Sequence, residues 1–143
     1  MNEILQRHQI GDKASLSTIR RSIRSELANA GIDPAQVFDC LIAVTEACTN
    51  ALVHGRDCDG EEPAPEIVWD IRDSSATFWV RDFSSARRSR AVHPAAGDSR
   101  VASEDSLQGM GIALMDDLMD HLEIRRGPAG TVVTLRKEFG ATS

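Results

Sequence analysis

The sequence predicts an α+β domain, a two-layer α/β sandwich in which helices cover one face of a mixed, mostly antiparallel sheet. Three observations lead there. Predicted elements run helix, helix, strand, strand, long loop, helix, strand, strand, which is not the strand–helix alternation of a parallel sheet. Apolar residues recur at helical spacing in some segments and alternate in others. The strands of each pair are joined by connections too short for a parallel crossover, Asp73-Ser74-Ser75 and Gly127-Pro128-Ala129-Gly130.

The first fourteen residues are ambiguous: Ile4, Leu5 and Ile10 suit a short edge strand or a segment draped on the core. Leu16, Ile19, Ile23 and Leu27 recur at helical spacing, with Arg20, Arg21, Arg24 and Glu26 on much of the other side. Ser15 is the expected N-cap of this helix and Gly31 its stop. Asp33-Pro34 opens a second helix, an aspartate cap followed by proline at the first helical position. That helix is expected to run to His54, with Val37, Leu41, Val44, Cys48 and Ala51 as its core stripe.

The opposite side carries Asp39, Ile42, Glu46, Asn50 and Val53. It reads either as the wall of a ligand pocket or as a shallow second packing face with two incidental polar residues. A loop over 55–65 leads to strands near 66–72 and 76–83, in which Ile67, Trp69 and Ile71, then Phe78 and Val80, alternate. Residues 84–108 show no periodicity, and a stretch of that length in a compact domain is either a functional lid or disorder. Gly109-Met110-Gly111 then leads into the helical pattern of Ile112, Leu114, Met115, Leu118 and Met119. Strands near 121–126 and 131–137 close the chain.

The bulk composition narrows the classes. A chain of 143 residues with a 41% hydrophobic fraction is read as one domain, 1–143, able to bury a core. A net charge of -6 argues against a nucleic-acid surface. Cys40, Cys48 and Cys58 match neither a zinc pair nor a disulfide framework, which suits a reducing, cytoplasmic compartment. Cys40 and Cys48 fall in the helical pattern as small core residues. The opening MNEILQRHQIGDK lacks the apolar stretch of a secretory signal, and no run approaches the ~20 apolar residues of a membrane span.

Single features are weak pointers to chemistry. Gly109 and Gly111 before a helix allow backbone N–H groups to approach a phosphate, or only turn the chain. Asp82 at a strand end suits a ligand amino group, or is an exposed turn aspartate. Thr131 alone is a β-former. The only lysines, Lys13 and Lys137, sit in no phosphate loop.

Together these features resemble a known family. Glu46-Ala47-Cys48-Thr49-Asn50-Ala51-Leu52-Val53-His54-Gly55 is similar to the first ATP box of the GHKL ATPase superfamily, and more narrowly to the serine-kinase anti-sigma factors. Asp82 falls where that family has its D-x-G box. Gly109-Met110-Gly111-Ile112 resembles its G-x-G-[LI] box, and Gly130-Thr131-Val132-Val133 its last box. The four boxes stand in order and span nearly the whole chain.

The resemblance implies a Bergerat-type ATP-binding fold, with ATP and Mg2+ as cofactors and residues 84–108 as the ATP lid. It implies that Asn50 ligates Mg2+ and that Glu46 acts as general base. Asp82 would bind the adenine amino group with support from Thr131. Gly109, Met110 and Gly111 would line the nucleotide at the lid hinge. His54 would cap the helix or touch phosphate. The implied activity is that of an anti-sigma factor with serine/threonine kinase activity, which phosphorylates an anti-anti-sigma partner, sequesters a sigma factor and forms a homodimer. Two positions depart from the pattern. Ser84 replaces the glycine of D-x-G, and Leu107-Gln108 stands where some relatives have a basic residue, a role Arg100 could take. A sequestering module that binds nucleotide weakly or not at all is the alternative expectation.

Overall fold

The structure is a computed structural model; it describes residues 5–54, 63–83 and 111–140. Among the described residues the sheet has five strands: β1 (Arg7–Gln9), β2 (Glu66–Ile71), β3 (Ser75–Asp82), β4 (His121–Gly127) and β5 (Gly130–Glu138). Their order across the sheet is β1-β2-β3-β5-β4, and every pairing is antiparallel. The helices are α1 (Lys13–Asn29), α2 (Pro34–His54) and α3, helical over 111–118. The predicted two-layer architecture is therefore present, and the described sheet is antiparallel throughout rather than mixed. The ambiguous N-terminal segment supplies a three-residue edge strand.

Helix α1 begins one turn earlier than the periodicity suggests. Asp12, not Ser15, is the N-cap, and its Oδ1 accepts from the Ser15 backbone N–H at 2.8 Å and from the Ser15 hydroxyl at 2.9 Å. These bonds to the ionised form hold the Asp12 carboxyl below its ordinary range. Glycine 31 ends the helix as expected. It sits at φ +80°, the Gly31 N–H donates to Ala28 O at 3.0 Å, and the Ile32 N–H donates to Leu27 O at 3.1 Å. This is a Schellman closure, with Leu27 and Ile32 both buried beneath it.

Helix α2 starts at Pro34, where the Asp33 carbonyl accepts its first helical bond from the Val37 N–H at 3.0 Å. Its predicted stripe is buried throughout: Val37, Leu41, Val44, Cys48 and Ala51, joined by Cys40, Ala43 and Ala47. Of the described helices, α2 alone has the length and mean hydropathy of a membrane span, contrary to the sequence expectation. The two-layer packing accounts for this composition, because α2 packs against α1 and lies across β3 and β5. Leu16, Ile19, Ile23 and Leu27 of α1 are also buried in this core, so they are packing residues rather than a free interface.

Alternation in the strands sends Ile67, Trp69, Ala76, Phe78, Val80 and Leu135 into the layer between sheet and helices. Burying one such aliphatic or aromatic side chain contributes roughly 1.5–3 kcal/mol. Trp69 also keeps a polar tie, its Nε1–H donating to Glu26 Oε1 at 3.1 Å across to α1. His8 stacks on the same ring at 4.4 Å, fixing the edge strand.

Candidate functional site: the α2–α3 contact and the β3–β5 pair

Glu46 and Asn50 are one helical turn apart on α2 and both half-buried. Gly111, the first described residue of α3, is buried against them. A Cβ at position 111 would lie 2.5 Å from Glu46 Oε1 and 3.6 Å from Asn50 Nδ2. Glycine is the one residue that lets α3 approach this closely. Here a carboxylate and an amide meet a backbone that carries no side chain.

Asp82 and Thr131 are cross-strand partners, Asp82 ending β3 and Thr131 standing second in β5. They lie 49 positions apart in sequence and become neighbours because β5, not β4, pairs with β3. Gly130 makes the junction possible. It adopts φ +126°, and any Cβ there would collide with Asp82 O and approach Phe83 Cα to 2.9 Å. Sequence reasoning placed Gly130 in a turn and a motif but missed this close approach. The signal was a glycine immediately before the threonine. Asp82 and Thr131 stand in register with the inward positions of β3 and β5, the strands across which α2 lies.

The remaining residues divide. His54 is the last residue of α2. Gly109, Met110, Arg100, Ser84 and the whole expected lid over 84–108 lie outside the described residues. Val53 is 64% exposed, and Phe38, 63% exposed, is an outward apolar residue the pattern missed. Among the described residues no group of three or more His, Cys, Asp or Glu side chains is arranged to hold a metal ion.

A shallow groove of about 610 Å3 is lined by Thr77, Trp79, Thr134 and Arg136 of the sheet and by Asp116 and Asp120 at the C-terminal end of α3. None of the described residues singled out from the sequence as site candidates lines it. Its one central cation is already engaged: Arg136 donates to Thr77 Oγ1 at 3.1 Å and to Glu138 Oε2 at 3.3 Å. Among the described residues, Glu46, Asn50, Asp82, Gly111 and Thr131 are not part of this groove.

The family model for the histidine kinase-like ATPase domain matches residues 11–137. The chain belongs to this family. Within it, this ATPase domain is 31% identical over 119 residues to an anti-sigma F factor of Clostridium beijerinckii, covering 80% of each chain. It is 30% identical over 124 residues to the serine-protein kinase RsbW of Bacillus pumilus, covering 80% of this chain and 73% of that one. Among solved structures, it superposes on part of a chain that holds the RsbU and RsbW domains of a Mycobacterium tuberculosis protein, with a TM-score of 0.64 at 20% identity. That match covers 96% of this chain and 32% of the other, so this ATPase domain spans about a third of the solved chain. The similarity supports the fold. The anti-sigma and kinase relationship holds at the level of the family.

Proposed function

We propose that this domain binds Mg-ATP between α2, α3 and the β3–β5 pair and transfers the γ-phosphoryl group to a serine or threonine hydroxyl of an anti-anti-sigma protein, while sequestering a sigma factor. The observation that carries the reading is the Glu46–Asn50–Gly111 contact. A carboxylate and an amide, four residues apart, face a helix start with no intervening side chain. The donor set fits the implied cofactor, because amide and carboxylate oxygens are hard ligands suited to magnesium. Asn50 would hold the ion, which when bound offsets phosphate charge.

The chain's own residues would do the rest. Glu46 accepts the proton of the attacking hydroxyl as it bonds to the γ-phosphorus, while the bond to the bridging oxygen of ADP breaks. Asp82 accepts from the adenine amino group, and Thr131, opposite it in the ladder, supports the base. Gly109, Met110 and Gly111 contact the phosphates at the lid hinge. His54 and Arg100 are proposed as further phosphate contacts. Homodimer formation belongs to the same reading. A sigma factor, which in this reading presents no hydroxyl to Glu46, would be held and not phosphorylated.

Incubation of the protein with γ-labelled ATP and candidate anti-anti-sigma proteins tests the reading. Label should appear on a serine or threonine of one partner and be absent with Glu46→Gln. Failure with every candidate, despite tight partner binding, would leave sequestration alone. The serine at position 84, where the family pattern has glycine, favours that second reading.

A further inference from the structure

We propose that Lys137 is a positioning residue for the Glu46 carboxylate and acts through helix α3. The inference rests on the reading of Glu46 as the base of the site. Along β5, Val133 and Leu135 point toward the helices, and the next inward position holds a lysine, opposite the fully buried Ala76. An ammonium group on the packed side of a sheet is costly unless it is partnered. Lys137, with a side chain only 13% exposed, has two partners. Its Nζ donates to Leu118 O at 2.6 Å and lies 3.6 Å from Asp39 Oδ2.

These partners are the two helices of the candidate site at their other ends. Leu118 closes the helical run of α3, where carbonyls lack partners within the helix and a cation is favourable. Asp39 lies on α2. Gly111 to Leu118 is seven residues, and so is Asp39 to Glu46, about 10 Å along each helix. Helix α3 therefore runs antiparallel beside α2, touching Glu46 at one end and Lys137 at the other.

A helix this short does not hold its own place. It is seated by Met115 and Met119 in the core, by Ile112 and Leu118 packed against it, and by contacts at its C-terminal end. Two of those contacts, Asp120 N–H to Arg136 O at 2.9 Å and Glu138 N–H to Asp120 Oδ2 at 2.6 Å, anchor only the turn beyond it. Lys137 is the link that grips the helix itself and α2 together. Gly111 itself has no side chain to interlock with Glu46, so in this proposal the grip at the far end helps set their distance.

The test uses the full chain without nucleotide, labelled with 13C at glutamate side-chain carboxyls, as wild type, Lys137→Met, Asp39→Asn and the edge-strand control Arg125→Met. The Glu46 resonance should shift in Lys137→Met, shift less in Asp39→Asn, and stay in place in Arg125→Met. Amide exchange over 111–118 should rise about tenfold in Lys137→Met. With Mg-ATP and partner, single-turnover transfer should fall about tenfold while the nucleotide Kd changes less than about threefold. In a Glu46→Gln background Lys137→Met should add no further loss. A Glu46 resonance unmoved in both folded variants, or rate losses that multiply in the double variant, would overturn the proposal. If Lys137→Met does not fold, Asp39→Asn decides. Wild type that transfers no phosphoryl group would sink the kinase reading, and the carboxyl resonance would still decide this one.

Discussion

Gly111 lies so close to Glu46 that a single added carbon at position 111 would stand 2.5 Å from Oε1 of the carboxylate. The neighbour is the far end of a flexible side chain, so Gly111→Ala can be accommodated by swinging Glu46 aside. The expected stability loss is therefore at the low end of overpacking, about 1 kcal/mol. Displacing a reacting group by about an ångström costs far more, on the order of a hundredfold in rate. Gly111→Ala should melt nearly like wild type and bind Mg-ATP, yet lose most phosphoryl transfer in a single-turnover assay.

Gly130→Ala should behave in the opposite way. Here the obstacle is backbone, Asp82 O and Phe83 Cα, which cannot swing away, and φ +126° is closed to alanine. Strain and overlap together should cost about 3 kcal/mol or more, roughly 10 °C in melting temperature. Calorimetric melting checks the stability loss. ATP affinity should fall in parallel, because the Asp82–Thr131 pairing is what the substitution disturbs.

Asp12 gives a pH dependence with a definite sign. Its folded-state pKa is lowered by the bonds from Ser15. A depressed carboxylate stabilises above its unfolded value, about pH 4, and loses that contribution as pH falls through the folded value. Thermal melts from pH 7 to pH 2 should show wild type above Asp12→Ala at neutral pH, with the two curves converging in acid.

The cysteines of α2 give the reverse. Burial pushes the thiols of Cys40 and Cys48 up to about 12. They should resist a thiol-reactive reagent at pH 8 in the folded protein and react on unfolding, as read by peptide mass mapping. Because unfolding restores an ordinary thiol near 9, their contribution to stability is full below that pH and is lost as pH rises toward 12. Melting temperature should fall over that window, and less so in Cys48→Ala.

Much of this was legible in the sequence because local chemistry and fold agree. Asp33-Pro34 and Gly31 mark helix ends by requirements of single residues. Period-two alternation through Ile67, Trp69 and Ile71 fixes which side of the sheet is packed. Glu46 and Asn50 share a helix face by spacing alone. What was hidden depends on tertiary order. The N-cap of α1 is Asp12 because its side chain reaches Ser15, which apolar periodicity does not register. That Asp82 faces Thr131 follows from β5 crossing inside β4, and a list of strands does not contain that order. Lys137 entered the sequence reading only as a lysine outside any phosphate loop, at the end of the last strand. The clue was its place in the inward series after Val133 and Leu135, where a charge needs partners.

The most direct test of the account is calorimetric titration of Mg-ATP into the wild-type protein and Asn50→Ala. The account predicts saturable binding by wild type and at least about a thirtyfold loss, some 2 kcal/mol, in the variant, with both melting alike. Equal binding by the two proteins, or none by wild type at millimolar ATP, would contradict a nucleotide site at the α2–α3 contact.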